Sequence, residues 1–349
     1  MQRVWWVAWA IAFKAYLEML KVAVIGLGWW GRIIVDLLAS SQKMRVMRVA
    51  DVNATGQIFA SQRGLAFSLS FQEALQDQAV QAVVLCTPHS QHTEQIIAAA
   101  QAGKHVFCEK PLSMSRVDVL RAIEAVEKAG VSLAVGHEKR FEPPIIEVMR
   151  LLKEGTLGVP LQVEANFSQD KFLSLPKENW RLSGAEAPAG PMTATGIHLL
   201  DLAIGIFGEA ESVHASVKQL GSPLTNGDTL AALVCFKQGG HALISAILAT
   251  PFAGRFAVYG SQGWAEVRDK AHPEAPEGWT LTTCLRAERA VSRDFTSEPA
   301  VLYNLEAFAD DALGVEHYPV PREQMIANVS ALEAIFRSAK SGAIEMVAG

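Results

Sequence analysis

One turn, Gly26-Leu27-Gly28-Trp29-Trp30-Gly31, narrows the folds open to this chain more than any other stretch of it. It directly follows a short β-branched run, residues 21–25. It directly precedes Ile33, Ile34, Leu37 and Leu38, which recur at helical spacing. The first glycine permits a tight strand-to-helix turn, the second lets a phosphate approach the backbone, and the third lets helix and strand pack closely. The helix that follows would aim N–H groups and the positive end of its dipole at that phosphate. The spacing therefore predicts a dinucleotide site, with Trp29 and Trp30 inside its turn. The plainer alternative is a strand–turn–helix bend without a ligand. Asp51 ends a second strand, residues 46–50, twenty residues beyond Gly31. A carboxylate there accepts from adenosine ribose hydroxyls and repels a 2′-phosphate. No Arg or Lys follows in Val52-Asn53-Ala54-Thr55, so NAD is expected ahead of NADP. A helix-capping aspartate is the alternative.

The same rhythm runs on. Strands are predicted at residues 82–86, 105–108 and 132–135, and helices at 91–102 and 116–129, the helices closed by Gly103 and Gly130. Short strands apolar on both faces, alternating with helices, imply a parallel sheet covered on both sides. After about residue 141 the pattern changes. A helix is predicted at 144–154, a strand at 161–167, and a Gly/Pro/Ser-rich loop at 168–191. Strand-like segments then follow at 212–220, 229–236, 242–248, 256–260, 265–268 and 281–285, divided by turns such as Asn226-Gly227 and Gly239-Gly240. A helix at 322–341 closes the chain. The fold class expected is α/β: an N-terminal Rossmann domain at 21–140, and an α+β domain with a large, mostly antiparallel open sheet at 141–349. A length of 349 residues suits two such domains.

Residues 1–20 are set aside as an N-terminal extension. The apolar run at 4–13 is too short to span a bilayer, follows a single basic residue, Arg3, and has the length of a signal-peptide core. A translation start at Met19, or a loosely attached extension, is expected ahead of a signal. A net charge of −5 and the lack of a basic stretch interleaved with aromatics exclude a nucleic-acid site, and no membrane association is expected. Cys86, Cys108, Cys235 and Cys284 form no C-x-x-C pair, so no metal site is expected. Cys86 and Cys108 end apolar runs, as reduced thiols in a cytoplasmic protein would.

Two segments fall at carboxyl ends of predicted parallel strands, where an open α/β sheet holds its ligands. These are Cys86-Thr87-Pro88-His89-Ser90-Gln91-His92 and Cys108-Glu109-Lys110-Pro111. Thr87, Pro88, His92, Glu109 and Lys110 thus join the glycines and Asp51 as candidate cofactor contacts. An ammonium at Lys110 would hydrogen-bond a substrate oxygen as hydride leaves or arrives; a surface lysine is the plainer alternative. His198, in Gly196-Ile197-His198-Leu199-Leu200-Asp201, is read as lying in the first turn of a helix. There the helix dipole disfavours positive charge, and a neutral imidazole is able to take a hydroxyl proton. Asp201 would share its helix face. Trp180-Arg181 offers a flat face and a fork of donors for a polar substrate, or else an Arg stacked on Trp for packing alone.

Taken together and in order, these segments resemble the Gfo/Idh/MocA oxidoreductases, the family of glucose–fructose oxidoreductase and inositol dehydrogenase. The resemblance runs from Lys21 to the end of the chain. Beyond the segments above it includes Gly136-His-Glu-Lys-Arg140-Phe with Pro143, Tyr259-Gly-Ser-Gln-Gly263 and Ser338-Ala-Lys-Ser-Gly342. Glu109-Lys110-Pro111 is the most specific element. The resemblance implies that Lys110 and His198 are the catalytic pair and that His92 borders the nicotinamide pocket. Arg140, Trp180, Arg181 and Thr195 join Lys110 and His198 as expected substrate-binding residues. Substrates would be sugars, cyclitols or related polyols. The C-terminal sheet would wall the substrate on one side and join a homodimer or homotetramer on the other. Inositol-dehydrogenase-like members carry an aspartate four residues before the catalytic histidine; here that position is Ala194. His198 would then work with Lys110 alone, or with a hydroxyl from Thr193 or Thr195. His89 stands where an asparagine is expected. Two other functions fit the same features: a regulator that senses a dinucleotide without chemistry, and a glycosidase- or epimerase-like enzyme that uses the hydride only transiently.

Overall fold

Runs that are apolar on both faces become the strands of a sheet buried on both faces. The computed structural model describes residues 19–348; the expectation for residues 1–18 lies outside them. Strands β1 (Leu20–Ile25), β2 (Met44–Ala50), β3 (Ala66–Ser68), β4 (Ala82–Leu85), β5 (His105–Cys108) and β6 (Leu133–Val135) pair in parallel in the order β3-β2-β1-β4-β5-β6. This is the doubly wound order whose ligand crevice opens where the chain reverses, between β1 and β4. Val22, Val24, Ala82, Val84 and Phe107 sit in the core of this unit.

The chain divides into two compact units. The first comprises the residues up to Ser113, Val117–Gly136 and Val301–Arg322. The chain's return at Val301 was not expected from the sequence, which assigned everything after residue 140 to one domain. Its reason is packing. The helix Ala300–Ala312 places Leu302, Leu305, Phe308 and Ala309 into the Rossmann core, with Phe308 edge-on to Phe107 at 5.9 Å. Asn304 Nδ2 donates to the Val135 carbonyl at the end of β6 (3.0 Å).

In the second unit the alternation of buried and exposed residues is that of a sheet with one covered face. Strands β7 (Pro160–Ser168), β8 (Ala210–Lys218), β9 (Thr229–Phe236), β10 (His241–Ile247), β11 (Ala253–Gly260), β12 (Gly263–Asp269), β13 (Trp279–Leu285), β14 (Val291–Phe295) and β15 (Glu345–Met346) run in the order β14-β13-β12-β11-β7-β10-β9-β8-β15. Every pairing is antiparallel except β7 with β10. The helix Ile197–Phe207 is apolar nearly all round and lies buried on β7 and β10. The opposite face carries Leu233 and Leu243, cross-strand partners that are both exposed. Among the described residues, no helix is long and apolar enough to cross a membrane.

Candidate active site

The three glycines of the turn do three different things. Gly26 has φ +91°, and a Cβ there would stand 2.7 Å from the Cys86 carbonyl oxygen. At Gly31 a Cβ would land 1.8 Å from the Gly26 oxygen, so only glycine lets the helix Trp29–Leu38 start this close to β1. Gly28 caps that helix with φ −61°, and a Cβ on it would meet nothing within 4 Å. Its bare backbone therefore borders open space at a helix N-terminus, which fits a pyrophosphate. Asp51 Oδ2 accepts the Leu27 N–H (2.5 Å) and Oδ1 the Asn53 N–H (2.7 Å). The carboxylate ties the glycine turn to the end of β2. It caps no helix, since the next N-cap is Thr55. Trp29 is exposed, with its ring tilted 48° to that of Trp30.

The two strand-end segments are joined by His92. It is fully buried, with Nδ1 2.8 Å from the Pro111 carbonyl and Nε2 3.0 Å from that of Thr87. The loop carrying Thr87 and Pro88 is thereby fixed to the one carrying Lys110, whose bond to Pro111 is cis. Thr87 Oγ1 donates to Gln95 Oε1. Glu109 is buried where Gly136 lacks a side chain: a Cβ on Gly136 would lie 2.6 Å from Glu109 Oε2. The same carboxylate receives the Lys110 N–H at 3.3 Å, while Lys110 itself is half-buried. Beneath them Cys108 is fully buried, which pushes its thiol well above the ordinary range, as for an inert core thiol.

In the second unit His198 lies one residue into the helix Ile197–Phe207, but that helix has no bare N-terminus. The π-helical segment Met192–Gly196 runs straight into it. The dipole argument for a neutral His198 therefore lapses, because the preceding turn uses up the end of the dipole. Instead, a ring of polar groups surrounds the imidazole. Glu138 Oε2 is 3.5 Å from His198 Nδ1, and both side chains are nearly dry, at 11% and 5% exposed. His137 meets His198 edge-on at 5.8 Å, and its Nε2 lies 3.8 Å from Asp201 Oδ1. Phe167 borders the imidazole from β7 at 6.2 Å.

Several expected substrate contacts have other partners. Arg140 donates from Nε and Nη2 to both carboxylate oxygens of Asp201, and from Nη1 to Gln324. It lies against Gly205, where a Cβ would meet Nη1 at 3.3 Å. Thr195 Oγ1 lies 2.8 Å from the Phe167 carbonyl and Thr193 Oγ1 3.2 Å from that of Gly190. Both hydroxyls are bound to backbone. The Arg181 guanidinium stands 4.2 Å over the Trp180 ring. Behind Phe167, Lys139 bridges Glu142 (2.9 Å) and Asp269 (3.0 Å). Burial works against its charge, but the two carboxylates raise the ammonium above its ordinary value. Burial pushes Glu142 up to about 8, Lys139 opposes this, and Asp269 adds to it.

The first unit thus gathers Gly26, Gly28, Trp29, Trp30, Gly31, Asp51, Thr87, Pro88, His92, Glu109 and Lys110. The second gathers Arg140, Thr195 and His198, with Trp180 and Arg181 on a separate short 3₁₀ turn, Trp180–Leu182. His137 and Glu138 were missed as site residues. Their signal lies in the segment Gly136-His-Glu-Lys-Arg140-Phe, a charged cluster directly after the carboxyl end of β6, from which only Arg140 was taken as a site residue. Among the described residues, no group of His, Cys, Asp and Glu is arranged to hold a metal ion.

Known proteins match along both units. Residues 20–137 fit the family model described as "Oxidoreductase family, NAD-binding Rossmann fold", and residues 145–266 fit the "GFO/IDH/MocA C-terminal domain". The chain is 31% identical over 258 residues to myo-inositol 2-dehydrogenase of Thermotoga maritima, covering 70% of this chain and 74% of that one. It is 30% identical over 256 residues to scyllo-inositol 2-dehydrogenase (NAD(+)) of Bacillus subtilis, covering 70% and 73%. The crystal structure of aldose-aldose oxidoreductase from Caulobacter crescentus, complexed with glycerol, superposes with a TM-score of 0.82 at 25% identity, covering 94% of this chain and 100% of that one.

Proposed function

The chain belongs to the Gfo/Idh/MocA family of NAD-binding oxidoreductases, and from that premise we propose that it oxidises or reduces a sugar, cyclitol or related polyol, with Lys110 and His198 as its catalytic pair. The observation that carries the reading is the tie made by His92. One buried imidazole fixes the Lys110 loop to the strand end beside the glycine turn, which keeps a lysine where an open α/β sheet holds its ligand.

The turn at Gly26, Gly28 and Gly31, with Asp51, would hold the dinucleotide, and Trp29, Trp30, Thr87, Pro88 and Glu109 would line its bed. NAD, when bound, accepts or returns the hydride. His198 takes the proton from the substrate hydroxyl at Nε2, and the Lys110 ammonium stabilises the charge that develops on that oxygen. Trp180 and Arg181 serve the substrate as a stacked pair. Thr195 and Arg140 act at one remove, by fixing the segment that carries His198. Cys108, Cys235 and Cys284 are thiols, as suits a reducing compartment, and this supports a cytoplasmic location. The open face of the nine-stranded sheet is its interface with further copies.

A panel of sugars and cyclitols offered with NAD⁺ and NADP⁺ tests this. NADH should form with at least one polyol. K110A should lower kcat by about 10²- to 10⁴-fold, with NAD affinity within about threefold of wild type. Near-wild-type turnover in K110A refutes the role. No turnover on any polyol points to a dinucleotide sensor. Tightly held cofactor with product but no net NADH points to transient hydride use.

A further inference from the structure

Position 194, where inositol-dehydrogenase-like relatives would place a carboxylate for the histidine, carries a methyl group, and the nearby threonine hydroxyls are bound to backbone. A carboxylate nevertheless reaches His198, from a different part of the chain. Glu138 opens the 3₁₀ turn Glu138–Phe141, and its Oε2 stands 3.5 Å from His198 Nδ1. The turn is pinned on both sides of its centre: Lys139 is held by Glu142 and Asp269, and Arg140 grips Asp201 on the helix that carries His198. The separation between Glu138 and His198 is thus set by buried ion pairs. The two segments cross-pair. The helix contributes His198 and Asp201, and the turn contributes Glu138 and Arg140, with His137 just before it; each histidine faces the acid of the other segment.

We propose that Glu138 is the positioning residue for His198, in place of the carboxylate absent at position 194. Its carboxylate, 3.5 Å from Nδ1, favours the proton on that nitrogen, which leaves the basic lone pair on Nε2, and it stabilises the imidazolium that forms when Nε2 takes the substrate's hydroxyl proton. The proton moves from substrate oxygen to Nε2 and leaves from there; Glu138 stays ionised throughout. This rests on the reading of His198 as the base. Further groups border the imidazole or the ring beside it. His137 packs edge-on. Asp201, on the same helix, is taken up by Arg140. Lys139 lies beyond the Phe167 ring (5.3 Å) between its two acids, and His272 borders the far side of that ring at 6.1 Å. The carboxylate addressed to Nδ1 is that of Glu138.

The test compares wild type, E138Q, E138D and H198Q by ¹⁵N-histidine NMR of the protein without substrate, and by kcat against pH on a polyol from the panel. In wild type His198 should be the Nδ1-protonated tautomer. E138Q should lower its titration midpoint by about one pH unit or more, as loss of an adjacent opposite charge does. It should also shift the acid limb of kcat down by a similar amount and cut kcat about 10- to 100-fold with KM little changed. E138D, which keeps a carboxylate, should fall between the two. If E138Q leaves the imidazole titration and the acid limb at their wild-type positions, Glu138 is structural only and the proposal is wrong, whatever kcat does. Wild-type turnover in H198Q would defeat the reading of His198 itself, a separate failure.

Discussion

At the scale of single residues, the glycine turn separates a position that packing fixes from one that packing leaves open. Gly28 and Gly31 lie three positions apart and are equally small, yet a methyl group meets open space at one and a carbonyl oxygen at 1.8 Å at the other. G28A should fold with wild-type stability, because φ −61° suits alanine. Its NAD affinity should fall about tenfold or more, as the methyl group occupies the place of a phosphate. G31A should lose roughly 3 kcal/mol of stability before affinity is at issue, because backbone must move. Urea melts and NAD titrations of the two variants check this, and equal stability losses would show that Gly28 does not border a ligand. The turn at Gly26 and the close packing at Gly31 were legible in the sequence because the constraint is local: a φ, a helix start. Glu138 was not legible, because its partner is sixty positions away and nothing in the spacing of a charged cluster says which of its members faces an imidazole.

Elements were legible in proportion to their length and burial. Strand β5, strand β9 and the helices Arg116–Ala129 and Arg322–Ser341 have the bounds their periodicity predicts. Strand β14 was missed because it is an edge strand exposed along nearly its whole length, with no buried face to impose alternation. The short helices Gly56–Gln62 and Phe71–Gln76 are too brief to show a period. The helix Ala300–Ala312 did carry a signal, at Leu302, Leu305, Phe308 and Ala309. The π-helical turn Met192–Gly196 left none: it lies past the loop predicted at 168–191 and was assigned to no element. The 3₁₀ turn Glu138–Phe141 depends on a dry site in which one ammonium serves two acids, and burial there favours the protonated form of Glu142. With its carboxyl near 8 in the folded protein and ordinarily near 4.5, the folded state holds a proton that the unfolded chain has released. Stability should therefore fall as pH rises from about 4.5 to about 8, with a slope of at most about 1.4 kcal/mol per pH unit from this group. E142Q, which keeps a neutral partner for Lys139, should flatten that part of the curve. Urea melts at pH 5 and pH 8 measure it, and parallel losses in wild type and E142Q would move the proton elsewhere.

For the whole molecule the remaining question is what the open sheet face is for. Leu233 and Leu243 are direct cross-strand partners on it, 37% and 43% exposed. They line a groove of about 450 Å³ with Asn166, His214, Glu164 and Arg255. An apolar centre rimmed by charge has the make-up of an interface between copies. In a two-fold assembly the same patch meets itself, so one substitution acts twice. L243E should therefore convert the assembly to monomers in light scattering at micromolar concentration. A side chain that already meets solvent costs the monomer little, about 0.5 kcal/mol or less, so the melt of the isolated chain should barely move. If the active site is complete within one subunit, the L243E monomer keeps kcat. If kcat falls with the assembly while NAD affinity holds, a neighbouring copy steadies the sheet whose other face carries Phe167 and the helix of His198. A wild-type protein that is already monomeric at those concentrations, or an L243E variant that stays assembled, would take this face out of the interface.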